Sequence, residues 1–401
     1  MAFLTCISLL LYLPVSLASE LEEMDIDITD LIVFEEEETV KEKKDSDGAY
    51  LLTITCTGDF TIGGDNRRGK GDIFAPELEK HGGDINFVME NVKHILADDD
   101  LTIVNFEGTL TDTTYVPADK KENSYIFNIT PSAVSVLPDN SIEAVSLDNN
   151  HVWDHGLEGY YDTISALENA GVIYSTPSQA GIFDYKGMLK IAMISFNCID
   201  RYGTGFQSYK AGNGRHEETY PEDFTAYATF EEAVCAKIKE LKEEYPLVIV
   251  SFHWGQEPTA SNKSRGYIPT ENQIRLGRMA VDAGADLIIG NHSHRLQPIE
   301  FYNGKFILYS LGNFCFAGNS NPDDKTSMLF QIRYRIKNDT ISYKDYRVIP
   351  IRISSTNSRN DFIPTPYEDG YTRDSILNVI RENINRKKLE YAITDFPLDW
   401  Q

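Results

Sequence analysis

The chain has 401 residues, 41% of them hydrophobic and 25% charged, with 62 acidic against 37 basic side chains and 5 cysteines. That length carries one large or two to three smaller domains at about 150 residues each, and the composition excludes collagen-like, low-complexity and disulfide-framework chains. A net charge of −25 argues against non-specific binding to nucleic acid or an anionic membrane, so an anionic ligand needs a special site.

In chain order, residues 1–18 carry an apolar run from Phe3 broken by Thr5, Ser8, Pro14 and Ser16, and it ends in small residues at Ser16-Leu17-Ala18-Ser19. The run is short for a membrane span and suits a secretory signal peptide, although no Lys or Arg precedes it, which leaves an uncleaved N-terminal anchor as the alternative. Residues 19–48 hold 13 acidic and 3 basic side chains with no sustained amphipathic repeat, and read as a solvated acidic linker. The cysteines beyond the signal (Cys56, Cys198, Cys235 and Cys315) are singly spaced and read as buried thiols.

From there short β-branched runs alternate with helical patterns. Strands are expected at 51–56, 101–105, 142–147, 188–195, 247–252, 285–289 and 306–311, mostly continuous apolar runs that suit a sheet covered on both faces. A helix over 154–170 places Leu157, Tyr161, Ile164 and Leu167 on one stripe and stops at Gly171. A second, over 230–244, repeats Phe230, Val234, Ile238 and Leu241; a third starts at Thr270 with Gln273 in capping-box spacing and ends near Gly284. This alternation predicts an α/β domain over 49–354 with a largely parallel central sheet. Residues 328–354 read as an antiparallel hairpin turning near Asn338-Asp339, and 355–401 as a C-terminal loop and a helix around 373–389.

Side chains able to bind metal fall just beyond the strands. Thr57-Gly58-Asp59, Asn105-Phe106-Glu107-Gly108, Asn149-Asn150-His151, Ser251-Phe252-His253-Trp254-Gly255 and Gly290-Asn291-His292-Ser293-His294 each follow a strand, where open α/β sheets assemble their sites. Five of the 8 histidines (His151, His155, His253, His292 and His294) lie in or beside these clusters. Neutral imidazole with carboxylate and amide oxygens suits one or two divalent ions, Zn, Mn or Fe(II). Such ions lower the pKa of a bound water, neutralise phosphoryl oxygens, and supply the positive field that the acidic chain lacks.

The ordered set of these motifs, closed by Tyr309-Ser310-Leu311-Gly312-Asn313-Phe314, resembles the poly-γ-glutamate capsule-synthesis (CapA-like) family of the calcineurin-like metallophosphoesterases, over roughly 51–316. The resemblance implies a four-layer αββα sandwich with the hairpin and helix appended. It implies Asp59 as first-metal carboxylate, Glu107 or Asn105 in the bridging position with Glu107 favoured for its charge, and Asn150, His253 and His292 on the second ion. His294 reaches toward the first ion, and His151 protonates a leaving oxygen. Asp154 either orients His151 or caps the helix that starts there.

Two departures from the superfamily pattern bear on this reading. Thr61 stands where Asp-x-His is usual, and Asn105-Phe106-Glu107 replaces a Gly-Asp, which weakens the first-metal position. His155 reads as a residue behind the ligands or on the surface. Arg67 and Arg68, in a Gly-rich stretch, either grip a phosphate or carboxylate of the substrate or form a solvated pair. Trp254 either walls the site or packs in the core.

Two function classes follow. One is an exported or membrane-tethered phosphoesterase-like hydrolase using a metal-bound hydroxide, acting in capsule or cell-surface polymer synthesis. The other is a metal-dependent factor that binds, anchors or exports an anionic polymer without hydrolysis. The expected partners are an anionic substrate or polymer and membrane capsule-synthesis proteins, not nucleic acid.

Overall fold

A computed structural model of the chain describes residues 43–64, 72–117, 125–199, 229–338 and 340–401. The expected signal or anchor, the linker up to residue 42, and Arg67 and Arg68 lie outside the described residues. Contacts gather Lys44–Gln401 into one unit. The last acids of the expected linker belong to it: Asp45 and Asp47 both pair with Arg335, at 2.5 and 3.2 Å.

The strands are β1 (Tyr50–Thr61), β2 (Leu101–Phe106), β3 (Thr109–Leu110), β4 (Asn128–Ile129), β5 (Ala144–Ser146), β6 (Ile173–Ser175), β7 (Gly181–Tyr185) and β8 (Leu189–Asn197). They continue with β9 (Leu247–His253), β10 (Leu287–Asn291), β11 (Ile299–Tyr302), β12 (Lys305–Leu308), β13 (Asn313–Phe316), β14 (Thr326–Lys337), β15 (Thr340–Arg352) and β16 (Thr365–Pro366). The helices are α1 (Ala75–Lys80), α2 (Lys93–Leu96), α3 (Gly156–Asn169), α4 (Phe230–Glu244), α5 (Glu271–Ala283) and α6 (Gly370–Lys387).

The alternation suggests one largely parallel sheet, but the strands form two large mixed sheets, as the sandwich implied by the resemblance requires, with β3 and β4 paired as a separate two-stranded sheet. In the larger the order is β16-β15-β14-β1-β2-β5-β6, with β13 joining the end of β1. Its β1, β2, β5 and β6 run parallel, and the expected hairpin, β14 with β15, adds on the antiparallel side. The smaller is ordered β11-β12-β10-β9-β8-β7, parallel from β12 to β8 with antiparallel edges. The edge strands escape a search for continuous apolar runs because each is at most five residues long.

Alternation along each strand sorts the core. Leu52, Ile54 and Ile103 from the larger sheet share one apolar cluster with Ile191, Met193, Ile249 and Ile289 from the smaller, so these faces meet each other. On the opposite face of the larger sheet, Val104, Phe106 and Val145 pack with Leu167 of α3; on that of the smaller, Ala192, Ile194 and Val250 pack with α4 and α5. The C-terminal segment is part of this body, since Ile376, Leu377, Ile380 and Ile384 of α6 join the cluster between the sheets. Among the described residues no helix is long and apolar enough to cross a membrane.

Local signals explain most boundaries. The Thr270 hydroxyl accepts from the Gln273 amide and the Gln273 side chain from Thr270, and α5 ends on Gly284 at φ 118°. In α3 the expected stripe is rotated. Leu157 and Tyr161 are exposed, while Gly159, Thr163 and Ala166 face inward with Leu167, because small side chains let the helix approach β3 and let Thr163 receive the Leu110 amide at 2.9 Å.

Trp254 is a core residue. It is fully buried, stacks on Phe252, and donates from Nε1 to the Tyr309 carbonyl at 2.9 Å. Only glycine fits beside that bond, because a Cβ on Gly290 would sit 2.2 Å from the Tyr309 oxygen and 2.5 Å from Trp254 Nε1. Gly290→Ala is therefore expected to cost about 1–3 kcal/mol through overpacking. Urea denaturation reads this as a lower midpoint at unchanged slope, and an unshifted midpoint would contradict the packing described.

Candidate metal centre

The motif residues converge where β1, β2, β9 and β10 end together. Asp59, Asn105, His253 and Asn291 lie within the last residues of these strands rather than beyond them, because the ladders run one to five residues further than the apolar runs suggest. Asp59, Glu107, His253 and His292 are all buried.

Glu107, His253 and His292 each bring a donor atom within 4.8 Å of the others, and so do Asp59, Glu107 and His294. Glu107 is common to both groups. His253 Nε2 is 3.5 Å from Glu107 Oε1 and 2.7 Å from Asn150 Oδ1, which places the Asn150 amide oxygen beside the first group. Asn105 takes a different place from a ligand. Its Nδ2 donates to Asp59 Oδ1 at 2.8 Å, and its Oδ1 accepts from Ser146 Oγ at 2.9 Å and Asn149 Nδ2 at 3.4 Å, so it orients Asp59.

His151 stands at the edge of the cluster. Its Nδ1 pairs with Asp154 Oδ2 at 2.7 Å, and its Nε2 faces Glu107 Oε1 at 3.8 Å. Asp154 also receives the Phe127 amide at 2.7 Å, and the N-cap position of α3 belongs to His155, so of the two expected roles Asp154 takes the orienting one. His155 is buried with Nδ1 2.9 Å from the Thr109 hydroxyl and belongs to neither donor group.

Two residues join the site that motif reading passed over. Asn313 Oδ1 lies 2.8 Å from His294 Nδ1, and Glu257 Oε1 lies 3.6 Å from His292 Nδ1. Asn313 sits inside the Leu311-Gly312-Asn313-Phe314 motif, which supplied the signal. Glu257 lies four residues past His253 in a loop with no periodicity to mark it.

Burial sets the charge states. It pushes the Glu107 carboxyl up to about 8, with the neighbouring Asp59 adding to the rise. It holds His253 well below its ordinary range and lowers His292 to about 4, so both imidazoles stay neutral. For His294 burial acts downward, but the hydrogen bond to Asp59 and the nearby Glu107 prevail and raise it to about 10.

Both Glu107 oxygens and His292 Nδ1 are buried without a hydrogen-bond partner among the described residues. Leaving such groups unmet costs about 1–3 kcal/mol each, and more for an ionised carboxylate. Neutral imidazoles and carboxylates with unshared lone pairs fit a divalent cation, so the donor set suits Zn, Mn or Fe(II).

A model of the family described as bacterial capsule synthesis protein PGA_cap matches residues 53–318. The PGA biosynthesis protein CapA of Bacillus subtilis (strain 168) is 31% identical over 371 residues, covering 90% of this chain and 86% of that protein. The capsule biosynthesis protein CapA of Bacillus anthracis is 26% identical over 303 residues, covering 75% of this chain and 67% of that protein. Among solved structures, a putative 5'-nucleotidase from Staphylococcus aureus in complex with alpha-ketoglutarate aligns at TM-score 0.44 and 13% identity over 84% of this chain and 58% of that one. The calcineurin-like phosphoesterase YfkN from Bacillus subtilis aligns at TM-score 0.38 and 16% identity over 84% and 98%.

The shifted groups give the metal-free protein a defined pH response. Folded Glu107 keeps its proton up to about 8 where an ordinary Glu loses it at 4.5, and folded His294 keeps its own up to about 10 instead of 6.5. The folded state thus binds more protons than the unfolded one in these windows, and stability falls as pH rises through them. His292, lowered from 6.5 to about 4, works oppositely and destabilises only below 6.5. Melting temperature of the metal-free chain should fall between pH 6.5 and 8. Ion binding at neutral pH should release about one proton or more, read by calorimetry in two buffers of different ionisation enthalpy. Uptake without proton release would contradict Glu107 as a ligand.

Proposed function

The chain belongs to the bacterial capsule synthesis protein family, and from that premise we propose that it acts in the synthesis of poly-γ-glutamate capsule or a related anionic cell-surface polymer, as a metal-dependent, phosphoesterase-like hydrolase. The observation that carries the hydrolytic reading is the His151 imidazole, pinned through Nδ1 to Asp154 with Nε2 turned toward Glu107.

Glu107, Asn150, His253 and His292 would hold one divalent ion, and Asp59, Glu107 and His294 a second. Bound there, such ions polarise phosphoryl oxygens and make a water nucleophilic at neutral pH. The chain's own residues do the rest. Asp154 accepts from Nδ1 and stabilises the imidazolium form, whose Nε2–H is then handed to the departing oxygen. Loss of that proton leaves a neutral imidazole still held through Nδ1 by the same carboxylate. Asn105 keeps Asp59 in place, and Phe127 and Phe316, with ring centroids 4.8 Å from His151 and 5.2 Å from His294, keep water from the flanks.

The apolar run of residues 1–18 supports export or tethering, and with it a role beside membrane proteins of polymer synthesis. Arg67 and Arg68 remain proposed contacts for substrate phosphate or carboxylate. A second reading, metal-dependent binding or anchoring of the polymer without hydrolysis, is favoured by one observation: Asp59 and His294 already satisfy each other at 3.1 Å.

The two readings separate on a panel of phosphoesters and γ-glutamyl polymer assayed with metal-loaded protein. His151→Ala should lower phosphoester turnover by about 10²–10⁴-fold while ion content stays unchanged. Absence of turnover on every phosphoester by the wild type, with polymer binding intact and metal-dependent, would replace the first reading by the second.

A further inference from the structure

Two histidines of the candidate centre, His292 and His294, sit in left-handed backbone, at φ 94° and 52°. A residue with a side chain keeps such a conformation only where its surroundings hold it there. For His292 the hold is the Asp59 carboxylate, which accepts its amide at 3.2 and 3.3 Å. His294 is held at its other end. Its carbonyl accepts from Arg295 Nη1 at 2.8 Å, while its ring Nδ1 lies 2.8 Å from Asn313 Oδ1 and 3.1 Å from Asp59 Oδ2.

Arg295 is itself a buried cation, and the neighbouring chain fixes it. The Ser293 hydroxyl closes a short turn by donating to the Arg295 carbonyl at 3.0 Å. The guanidinium carbon stands 5.5 Å from the Tyr267 ring centroid, and Nε faces Asp324 Oδ2 at 3.7 Å. That oxygen also accepts the Tyr267 hydroxyl at 2.5 Å, and Asp324 Oδ1 accepts from the amide and hydroxyl of Thr326 at 2.8 and 2.7 Å. The stem is packed as well, because a Cβ on Gly266 would lie 3.3 Å from Arg295 Cγ. At 3.7 Å the contact with Asp324 is too long for a hydrogen bond, and Nε has no hydrogen-bond partner among the described residues. The guanidinium is therefore aimed at the backbone of a donor histidine and only loosely at the acid. Tyr267 lies between β9 and α5, and Asp324 between β13 and β14, so two loops meet on this one side chain. Lys263 and Asp323 join the same loops a second time, at 2.6 Å.

We propose that Arg295 is a positioning residue of the metal centre, holding His294 through its carbonyl in the left-handed turn that sets the imidazole beside Asp59 and Glu107. The assignment rests on the metal-centre reading above and adds a residue that none of the strand-end motifs marks. Arginine suits the task because its planar fork donates at one end while its face lies on an aromatic ring, a combination that lysine lacks. Without the guanidinium the carbonyl loses its donor, the turn relaxes, and the ring leaves its place among the donors.

The test uses the full chain, stripped with a chelator and titrated with Mn²⁺ by calorimetry and with Co²⁺ by visible absorption; far-UV circular dichroism checks that each variant folds. His294→Gln defines the ion that depends on this histidine as the binding it removes. Arg295→Met, which keeps the stem, should weaken that same ion about 10–100-fold and alter the Co²⁺ spectrum. Added to His294→Gln it should change neither, since two residues that act as one unit are not additive. Should Arg295→Met fail to fold, Arg295→Lys, which keeps a charge beside Asp324, carries the same expectation. An unchanged isotherm and spectrum, or equal weakening with and without His294, overturns the assignment while the metal centre stands. A wild type that binds no ion, or a His294→Gln protein that loses none, overturns the metal-centre reading itself, and the assignment with it.

Discussion

Everything at the site depends on one contact between the two sheets, the Asp59 carboxylate accepting the His292 amide. Asp59 lies near the end of the central strand of the larger sheet and His292 follows a central strand of the smaller, so the bond ties their ends across the interior. It forms because backbone comes unusually close there. Asp59 donates its amide to the Gly312 carbonyl at 3.0 Å, and a Cβ on Gly58 would stand 2.0 Å from that same oxygen. Glycine at 58 is thus a condition for bringing β13, and with it Asn313, against His294. The other donors arrive by register: Asn105 is paired with Asp59, and His253 with Asn291, as Cα partners in their ladders.

That geometry reconciles a strongly acidic chain with an anionic ligand. The negative charge at the strand ends is either protonated, as Glu107 is in the metal-free state, or matched by an imidazolium, as Asp59 is by His294. The interior therefore tolerates two carboxylates side by side at modest cost, and a divalent ion displaces protons rather than entering an open field of charge.

Much of this could be read from residues alone. Gly58-Asp59, Asn149-Asn150-His151 and Gly290-Asn291-His292 announced strand ends because a run of β-branched residues gives way abruptly to small and polar ones. The long hairpin showed itself by alternation, with its turn at Asn338, φ 50°. What stayed illegible shares a physical cause. Strand pairing is a property of neighbours, so division into two sheets leaves no mark on any single run. The inward face of α3 was misjudged because apolar content, not size, was followed, and the small residues Gly159 and Ala166 won the contact. Glu257 escaped because a residue on a turn has neither period nor cap to mark it; only the turn at Gly255 hints that the chain doubles back toward His292.

His292 and His294 hold left-handed backbone, at φ 94° and 52°, where glycine or asparagine rests more easily and other residues pay about 1–3 kcal/mol. The strain has a consequence for descent. A lineage released from the chemistry would gain stability by drifting to Gly or Asn at both positions, while Trp254, Tyr309 and Gly290 would persist for packing alone. Imidazole kept at 292 and 294 in a relative would thus mark continued use of the centre, and glycine there a scaffold kept without it.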